Sequence, residues 1–327
     1  MYIKNLSSIV NSYDLFIIDI YGVIFDGTKL IPEAFAAIEY LNKSKRNFFL
    51  LSNSPRPQYV TRQKIVQSLN TMGVTNSCID EVRIFTSGDM FAEFMVANIS
   101  QNTHKFPYIM QQSQTTIDIW GSFELKNDFS FLNGKVFLLG ANSNHHLIKE
   151  INQKLSEKHL PNLSITTRIS EANYVIILGA SDANEPGVAD KFNQELDLIV
   201  KAKLPVLCPN PDISAPGGSE SRVFTPGFYA QKYRMMGGSE VYYFGKPFQA
   251  VYDFAIEKYC LVQNLNPLKL KNSKILCIGD SIVHDICGAY NIGADALLID
   301  NGYSIQIDEL PQLLNYHPNY RMKVLKP

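Results

Sequence analysis

Four consecutive apolar residues, Leu15-Phe16-Ile17-Ile18, run straight into one carboxylate, Asp19, and then into Ile20-Tyr21-Gly22-Val23. A continuous apolar run this short fits a strand covered on both faces, the situation of a parallel sheet flanked by helices. A carboxylate there is costly unless it is paired, bound to a metal or placed at the strand's exposed end. In open α/β sheets the carboxyl end of the strands is where ligands bind. Taken alone, Asp19 also fits a plain cap on the loop after a core strand, so the rest of the chain has to decide.

The same texture recurs. Asn47-Phe48-Phe49-Leu50-Leu51 ends in Ser52-Asn53-Ser54-Pro55, Val82-Arg83-Ile84-Phe85 ends in Thr86-Ser87, and Lys274-Ile275-Leu276-Cys277-Ile278 ends in Gly279-Asp280-Ser281. Between the first two runs, Pro32-Glu33-Ala34 opens a helix with proline in the first turn and an acid beside it. Phe35, Ile38 and Leu41 keep helical spacing, and Lys45-Arg46 suit the C-terminal end. Gln58 to Met72 predicts a second helix, closed by Gly73. Gly22-Val23-Ile24-Phe25-Asp26-Gly27 predicts a tight hairpin directly after the first strand. The β-α-β-α-β order implies a parallel sheet with right-handed crossovers.

From about Asp89 the texture changes. A helix from Met90 to Val96 leads into a stretch from Asn98 to Asp118 rich in Gln, Asn and Thr. Strand-like segments follow at Lys135–Leu139, Tyr174–Leu178 and Pro205–Cys208, separated by helical His145–Leu155 and Asp190–Lys201. Turns cluster at Asn210-Pro211-Asp212, Ala215-Pro216-Gly217-Gly218 and Pro226-Gly227. The first texture returns at Tyr242-Tyr243-Phe244-Gly245-Lys246-Pro247 and a helix from Gln249 to Tyr259. A further helix, Asp285–Tyr290, and a strand, Ala296–Ile299, complete the alternation. The expected fold class is therefore α/β: a Rossmann-like parallel-sheet core, residues 1–88 and 240–327, interrupted by an inserted α/β cap domain, residues 89–239.

Composition excludes several functions. Thirty basic residues face thirty-one acidic ones, so the formal net charge of −1 gives no electrostatic case for nucleic acid or an anionic membrane. Apolar runs fall far short of the roughly 20 residues of a membrane span, and Met1-Tyr2-Ile3-Lys4-Asn5 does not begin a signal peptide. Five cysteines, odd in number and without C-x-x-C spacing, argue against a zinc site or a disulfide framework. The expected setting is cytoplasmic. The adjacent pair His145-His146 would point different ways on a helix, which disfavours a shared metal.

Three buried strands thus end at Asp19, Ser52 and Asp280. In a parallel sheet these ends share one edge, so a carboxylate, a hydroxyl and a second carboxylate converge, and Lys246, just before a helix, can bring a cation to the same rim. Two neighbouring acids repel unless a metal or lysine neutralises them. Oxygen ligands of this kind suit Mg²⁺, which takes one or two carboxylates plus substrate phosphate. Asp19 could attack phosphorus as a carboxylate nucleophile. Ser52, nearby backbone N–H groups and Lys246 could stabilise the phosphoryl oxygens.

Asp19-Ile20-Tyr21-Gly22-Val23, Ser52-Asn53-Ser54, Gly245-Lys246-Pro247 and Gly279-Asp280-Ser281 followed by Asp285-Ile286 resemble, in order, the four motifs of the haloacid dehalogenase superfamily. The insertion after Thr86-Ser87, with Asn210-Pro211-Asp212 inside it, resembles class IIA, the NagD-like phosphatases. The resemblance spans nearly the whole chain. It implies that Asp19 is a nucleophile forming an aspartyl-phosphate, that Gly22, Ser52, Asn53 and Lys246 line the phosphoryl site, and that Lys246 orients nucleophile and phosphate. Asp280, Asp19 and the backbone carbonyl of Tyr21 would hold Mg²⁺, with Asp285 behind them as support. The insert would be a mobile cap that excludes water and selects a small phosphorylated metabolite. Some relatives self-associate through their caps, so a homodimer is compatible with the resemblance.

One position departs. Phosphatases of the family carry a second Asp two residues after the first, as acid for the leaving group and base for water; here Tyr21 stands there. A phenol donates a hydrogen bond but is a poor base at neutral pH. General acid–base catalysis is worth about 10²–10⁴-fold, so the expectation is a slow phosphatase, or one favouring good leaving groups. Two rivals remain. One is a pseudo-enzyme that binds a phosphorylated ligand without turnover. The other is a 2-haloacid dehalogenase, whose Asp-x-Tyr-Gly pattern is similar; those enzymes are metal-free and carry a cap between the first two motifs, where about 30 residues leave no room for one. Arg222, in Gly217-Gly218-Ser219-Glu220-Ser221-Arg222, could read a substrate anion or be a solvated loop charge.

Overall fold

The computed structural model describes residues 1–74, 78–99, 128–140, 145–179, 188–218, 221–300 and 316–327. Most of the polar stretch after Asn98, and the side chains of His145 and Arg222, lie outside the described residues.

In chain order the first part comprises β1 (Leu15–Ile18), α1 (Pro32–Lys43), β2 (Asn47–Ser52), α2 (Gln58–Thr71), β3 (Arg83–Thr86) and α3 (Ser87–Ile99). The middle holds β4 (Val136–Gly140), β5 (Ile165–Thr166), β6 (Tyr174–Gly179), β7 (Val206–Cys208), a hairpin of β8 (Ser214–Gly218) and β9 (Ser221–Phe224), and β10 (Val241–Tyr243). The helix Gln249–Gln263 then leads to β11 (Ile275–Gly279), β12 (Asp295–Ile299) and β13 (Tyr320–Met322). Two parallel sheets result. One is six-stranded in the order β13-β12-β11-β1-β2-β3, and the other is five-stranded in the order β10-β7-β6-β4-β5. The molecule is a Rossmann-like α/β core with a second α/β unit inserted after β3.

β1 shows why its sequence lacks polar alternation. Leu15 and Ile17 pack on one face with Phe49, Leu51, Phe85 and Cys277, whereas Phe16 and Ile18 pack on the other with Phe48, Leu50, Ile84 and Leu276. Successive strand residues point to opposite faces, and both faces are covered, so each residue must be apolar. The chain builds outward from β1 through β2 and β3, then returns on its other side through β11, β12 and β13. The strand order therefore reverses at β1, the place where α/β sheets leave a crevice for ligands.

Two local features differ from the sequence expectation and a third agrees with it. The segment after Asp19 forms the expected tight hairpin, Phe25 bridging Leu30 antiparallel with Asp26 N donating to Lys29 O at 3.0 Å and Ile31 N to Ile24 O at 2.8 Å, and a compact turn precedes it. The Ile20 carbonyl accepts from the N–H groups of Val23, Ile24 and Phe25, which winds the chain into a tight turn, and Asp26 Oδ1 accepts from Thr28 N and Lys29 N, 2.8 Å each. Val241–Tyr243, expected with the returning core, pairs in register with Val206–Cys208 in the five-stranded sheet. The crossing back to the core therefore follows Tyr243. The helix expected at Asp285–Tyr290 opens with a wide turn, in which Asp285 N and Ile286 N both reach the Ser281 carbonyl, at 2.8 and 3.1 Å, before the helix Cys287–Asn291 begins. Such widened turns recur at functional sites.

The first crossing is fastened to both units. Ser87 Oγ lies within hydrogen-bond distance of three carbonyls, those of Asn53 (2.7 Å), Ser54 (3.0 Å) and Pro209 (2.7 Å). One buried hydroxyl thus ties the first crossing to the loop after β2 in the core and to the loop after β7 in the inserted unit. All five cysteines are free thiols. Among the described residues no helix is long and apolar enough to cross a membrane.

Candidate active site

Register fixes the geometry. Ile18 pairs with Ile278 on one side and Leu50 on the other. Asp19, Asp280 and Ser52 therefore leave three adjacent parallel strands within one or two residues of the same level. Lys246 comes in from the second crossing. Its Nζ lies 2.6 Å from Asp19 Oδ1 and 2.7 Å from Asp285 Oδ1, and all three side chains are at most 9% exposed. Burying one ammonium between two carboxylates is sustainable because each charge has a close partner; a lone buried charge is not.

Asp285 is held at both oxygens, since Oδ2 accepts from Ser281 N at 3.0 Å. That leaves Asp285 as a clamp on Lys246. Asp280 completes the acid group: Asp19, Asp280 and Asp285 each present an oxygen within 4.8 Å of the other two. Three carboxylates against one lysine leave an excess of negative charge. The Asp19 carboxyl is accordingly raised above the usual range, first by burial and then by Asp285 and Asp280, while Lys246 pulls it down. For Lys246, burial works against the charge, but Asp19 and Asp285 outweigh it and hold the ammonium well above its ordinary value. A hard cation among oxygen donors would relieve the surplus, so the donor set fits a divalent ion. None of the N–H groups of the turn after Asp19 reaches the Tyr21 carbonyl, which leaves that oxygen available.

Gly22 is confined. Its φ is +90°, and a Cβ built on it would lie 2.1 Å from Asp280 Oδ2. Only glycine permits this backbone to run so close to the acid. Its N–H donates to Phe25 O at 2.7 Å, so the amide is engaged inside the turn. Ser52 is buried, and its Oγ accepts from Ser54 N at 3.1 Å, leaving the hydroxyl proton to donate elsewhere.

Asn53 works as a bridge. Oδ1 accepts from Lys246 N at 2.6 Å; Nδ2 donates to Lys246 O at 3.0 Å and to Asp212 Oδ1 at 2.7 Å. The Asn210-Pro211-Asp212 segment of the inserted unit is thereby fastened to the loop after β2 and to the lysine's own backbone. His284 lies on the other side of Asp212, with Nε2 3.4 Å from Oδ1, while its Nδ1 is 2.9 Å from Ser281 Oγ. Asp212 is marked in the sequence only as part of the Asn210-Pro211-Asp212 turn, without a site role, and His284 is not marked at all. Their relation depends on contacts between distant segments, and no local pattern signals it.

Tyr21 is half-buried, edge-on to Phe25 at 5.7 Å. Burial and Asp19 push its phenol up, and only Arg56 pulls it back. Asp89, at the start of α3, accepts from Gln58 N and from Thr86 N and Oγ1, at 3.1, 3.0 and 2.9 Å. Burial pushes its carboxyl up to about 6 despite those bonds.

Fold and site define a class: a Rossmann-like α/β protein with an inserted α/β unit and an acid–lysine cluster at the point where strand order reverses. The chain belongs to the haloacid dehalogenase-like hydrolases. It matches the family model of that description over residues 16–154 and a second, described as HAD-hydrolase-like, over residues 243–325. A Staphylococcus aureus protein named acid sugar phosphatase is 26% identical, over 61% of this chain and 85% of that one. Among solved structures, a haloacid dehalogenase-like hydrolase from Brucella suis superposes with a TM-score of 0.70 at 20% identity, covering 99% of both chains. NagD from E. coli superposes with a TM-score of 0.56 at 18% identity, covering 99% of this chain and 97% of its own. The fold is NagD-like, with the insertion in the class IIA position.

Proposed function

We propose that the protein hydrolyses small phosphomonoesters with a divalent cation, Mg²⁺ by preference, through a covalent intermediate on Asp19. The observation that carries this reading is Lys246 Nζ bridging Asp19 and Asp285 beside Asp280. Asp19, Asp280 and the Tyr21 carbonyl would hold the cation, which when bound neutralises the phosphoryl oxygens. Lys246 fixes Asp19 Oδ1 and so limits rotation of the carboxylate. Asp19 attacks phosphorus, the ester P–O bond breaks, and the leaving alkoxide or phenoxide takes a proton from solvent; water then attacks the phosphorus of the aspartyl-phosphate, releasing inorganic phosphate and the Asp19 carboxylate and giving its proton to solvent. Ser52 donates its hydroxyl proton to a phosphoryl oxygen, and Asp285 keeps Lys246 in place. Preorganised donors of this kind carry much of the rate in phosphoryl transfer.

Tyr21 sets the pace. With its phenol raised by burial and by Asp19, it holds its proton at neutral pH and cannot serve as base for the attacking water. Substrates with good leaving groups are therefore favoured. The test is hydrolysis of an activated aryl phosphate with Mg²⁺ by wild type and Asp19→Asn; equal rates remove the proposal. Tyr21 also motivates the second reading, a binding protein without turnover. Mg²⁺-linked binding of phosphorylated ligands with no product over hours would favour it.

A further inference from the structure

Arg56 and Lys64 are half-buried cations. Among the described residues neither side chain makes a hydrogen bond or an ion pair; Arg56 bonds only through its backbone N–H, to Ser54 Oγ at 3.2 Å. Among the described residues, two acids of this region are engaged elsewhere, Asp19 with Lys246 and Asp89 with Thr86 and the start of α2. The Lys64 ammonium is held below its ordinary value, first by burial and then by Arg56. Two like charges without counter-ions in a half-dry setting are costly unless something else supplies the negative charge.

Their position indicates what that is. Arg56 follows the Ser52-Asn53-Ser54 loop and lies near enough to the Tyr21 phenol to offset part of the upward push of burial and Asp19. Lys64 is in the second turn of α2, and helical side chains lean toward the helix N-terminus, here toward Arg56 and the carboxyl edge of the sheet. Leu30 N donates to Ser68 Oγ at 2.9 Å, which holds α2 against the loop that leads away from Tyr21. Ser52, Asn53, Lys246 and Asp285 are buried, at 1–4% exposed, whereas Tyr21 and Asp280 are half-buried and form the open rim. The organic part of an ester bound at Asp19 leaves over that rim. The Asp280 side carries a negative charge, whereas on the Tyr21 side stands Arg56, with Lys64 beside Arg56.

We propose that Arg56 and Lys64 form a subsite for a second anionic group, so that the favoured substrates are phosphomonoesters carrying a carboxylate or a further phosphate; this rests on the phosphatase reading above. The shared chemistry is an anion a few bonds from the ester oxygen, read by a guanidinium fork and an ammonium.

Three compounds of one chain length test it with the full-length protein and Mg²⁺: propyl phosphate, 3-phosphonooxypropionate and propane-1,3-diyl bisphosphate. Wild type should favour at least one of the last two over propyl phosphate by about tenfold or more in kcat/KM, the size expected of one charge-assisted hydrogen bond. The arm that responds identifies the anion as carboxylate or phosphate. Arg56→Gln should lower the ratio about tenfold, and Lys64→Gln should lower it less. A ratio of two substrates on one preparation does not depend on the fraction folded, so poorly folding variants still report. Ratios near one in wild type, or ratios unmoved in both variants, overturn the subsite. If activated aryl phosphate is hydrolysed while the ratios stay flat, the subsite alone fails; if nothing is hydrolysed, the phosphatase reading fails with it.

Discussion

Replacing Gly22 by alanine should damage cation binding far more than it damages the fold. Two costs arise from one methyl. The first is backbone: φ is +90° at Gly22, and a side chain in left-handed territory costs about 1–2 kcal/mol. The second is steric. The new Cβ would stand 2.1 Å from Asp280 Oδ2 and 2.5 Å from its Cγ, and that gap must open to 3.4 Å or more for ordinary contact. The Asp280 carboxylate must swing away or the turn must move, and either displaces an oxygen from the acid group. Cation sites tolerate only about 0.5 Å of such error, and losing support for a ligand typically costs about 10–100-fold in metal affinity. Gly237→Ala supplies the control. Its φ is +97° with nothing within 4 Å of a Cβ, so it carries the backbone cost alone. Both variants should lose a few degrees of Tm. Only Gly22→Ala should need about tenfold more Mg²⁺ for half-maximal hydrolysis of aryl phosphate, and only it should lose the thermal upshift that Mg²⁺ gives wild type. An unchanged Mg²⁺ response in Gly22→Ala, or an equal loss in Gly237→Ala, would refute the argument that the glycine exists to admit Asp280.

Lys246→Met leaves Asp19 and Asp285 facing each other without a cation; chemical denaturation should show a loss of about 3–5 kcal/mol, with aryl phosphate turnover down by about 10²-fold or more. Tyr21→Asp should raise turnover of alkyl phosphates relative to aryl phosphates, by up to about 10²–10⁴-fold; a fall in that ratio would give Tyr21 a positive role. Asp89 predicts a pH effect on stability. With its carboxyl at about 6 in the fold and 3.8 as its ordinary value, the folded chain binds more protons than the unfolded chain between those limits. Its contribution therefore weakens as pH rises through that window, by at most about 3 kcal/mol. Asp89→Asn should flatten the profile, checked by urea unfolding at pH 4.5 and 6.5; an identical slope in both proteins contradicts it.

The sequence by itself determined what depends on neighbours along the chain. Leu15–Ile18, Phe48–Leu51 and Ile275–Ile278 are apolar on both faces because both faces are covered, and that pattern alone locates three buried parallel strands and the polar residues at their ends. The Pro32 opening and the spacing of Phe35, Ile38 and Leu41 likewise mark α1 without help from elsewhere. Tertiary structure decided what depends on which distant segments meet. A three-residue strand such as Val241-Tyr242-Tyr243 reads the same in either sheet, and only pairing with Val206–Cys208 assigns it. The resemblance puts Asn53 at the phosphoryl site, but only the fold shows its side-chain amide occupied by Lys246 and Asp212. The approach of Gly22 to Asp280, and of Arg56 to Tyr21, joins residues with no common sequence signal. Local pattern is set by burial of each short run, which composition records; partnership across the fold is set by packing, which it does not.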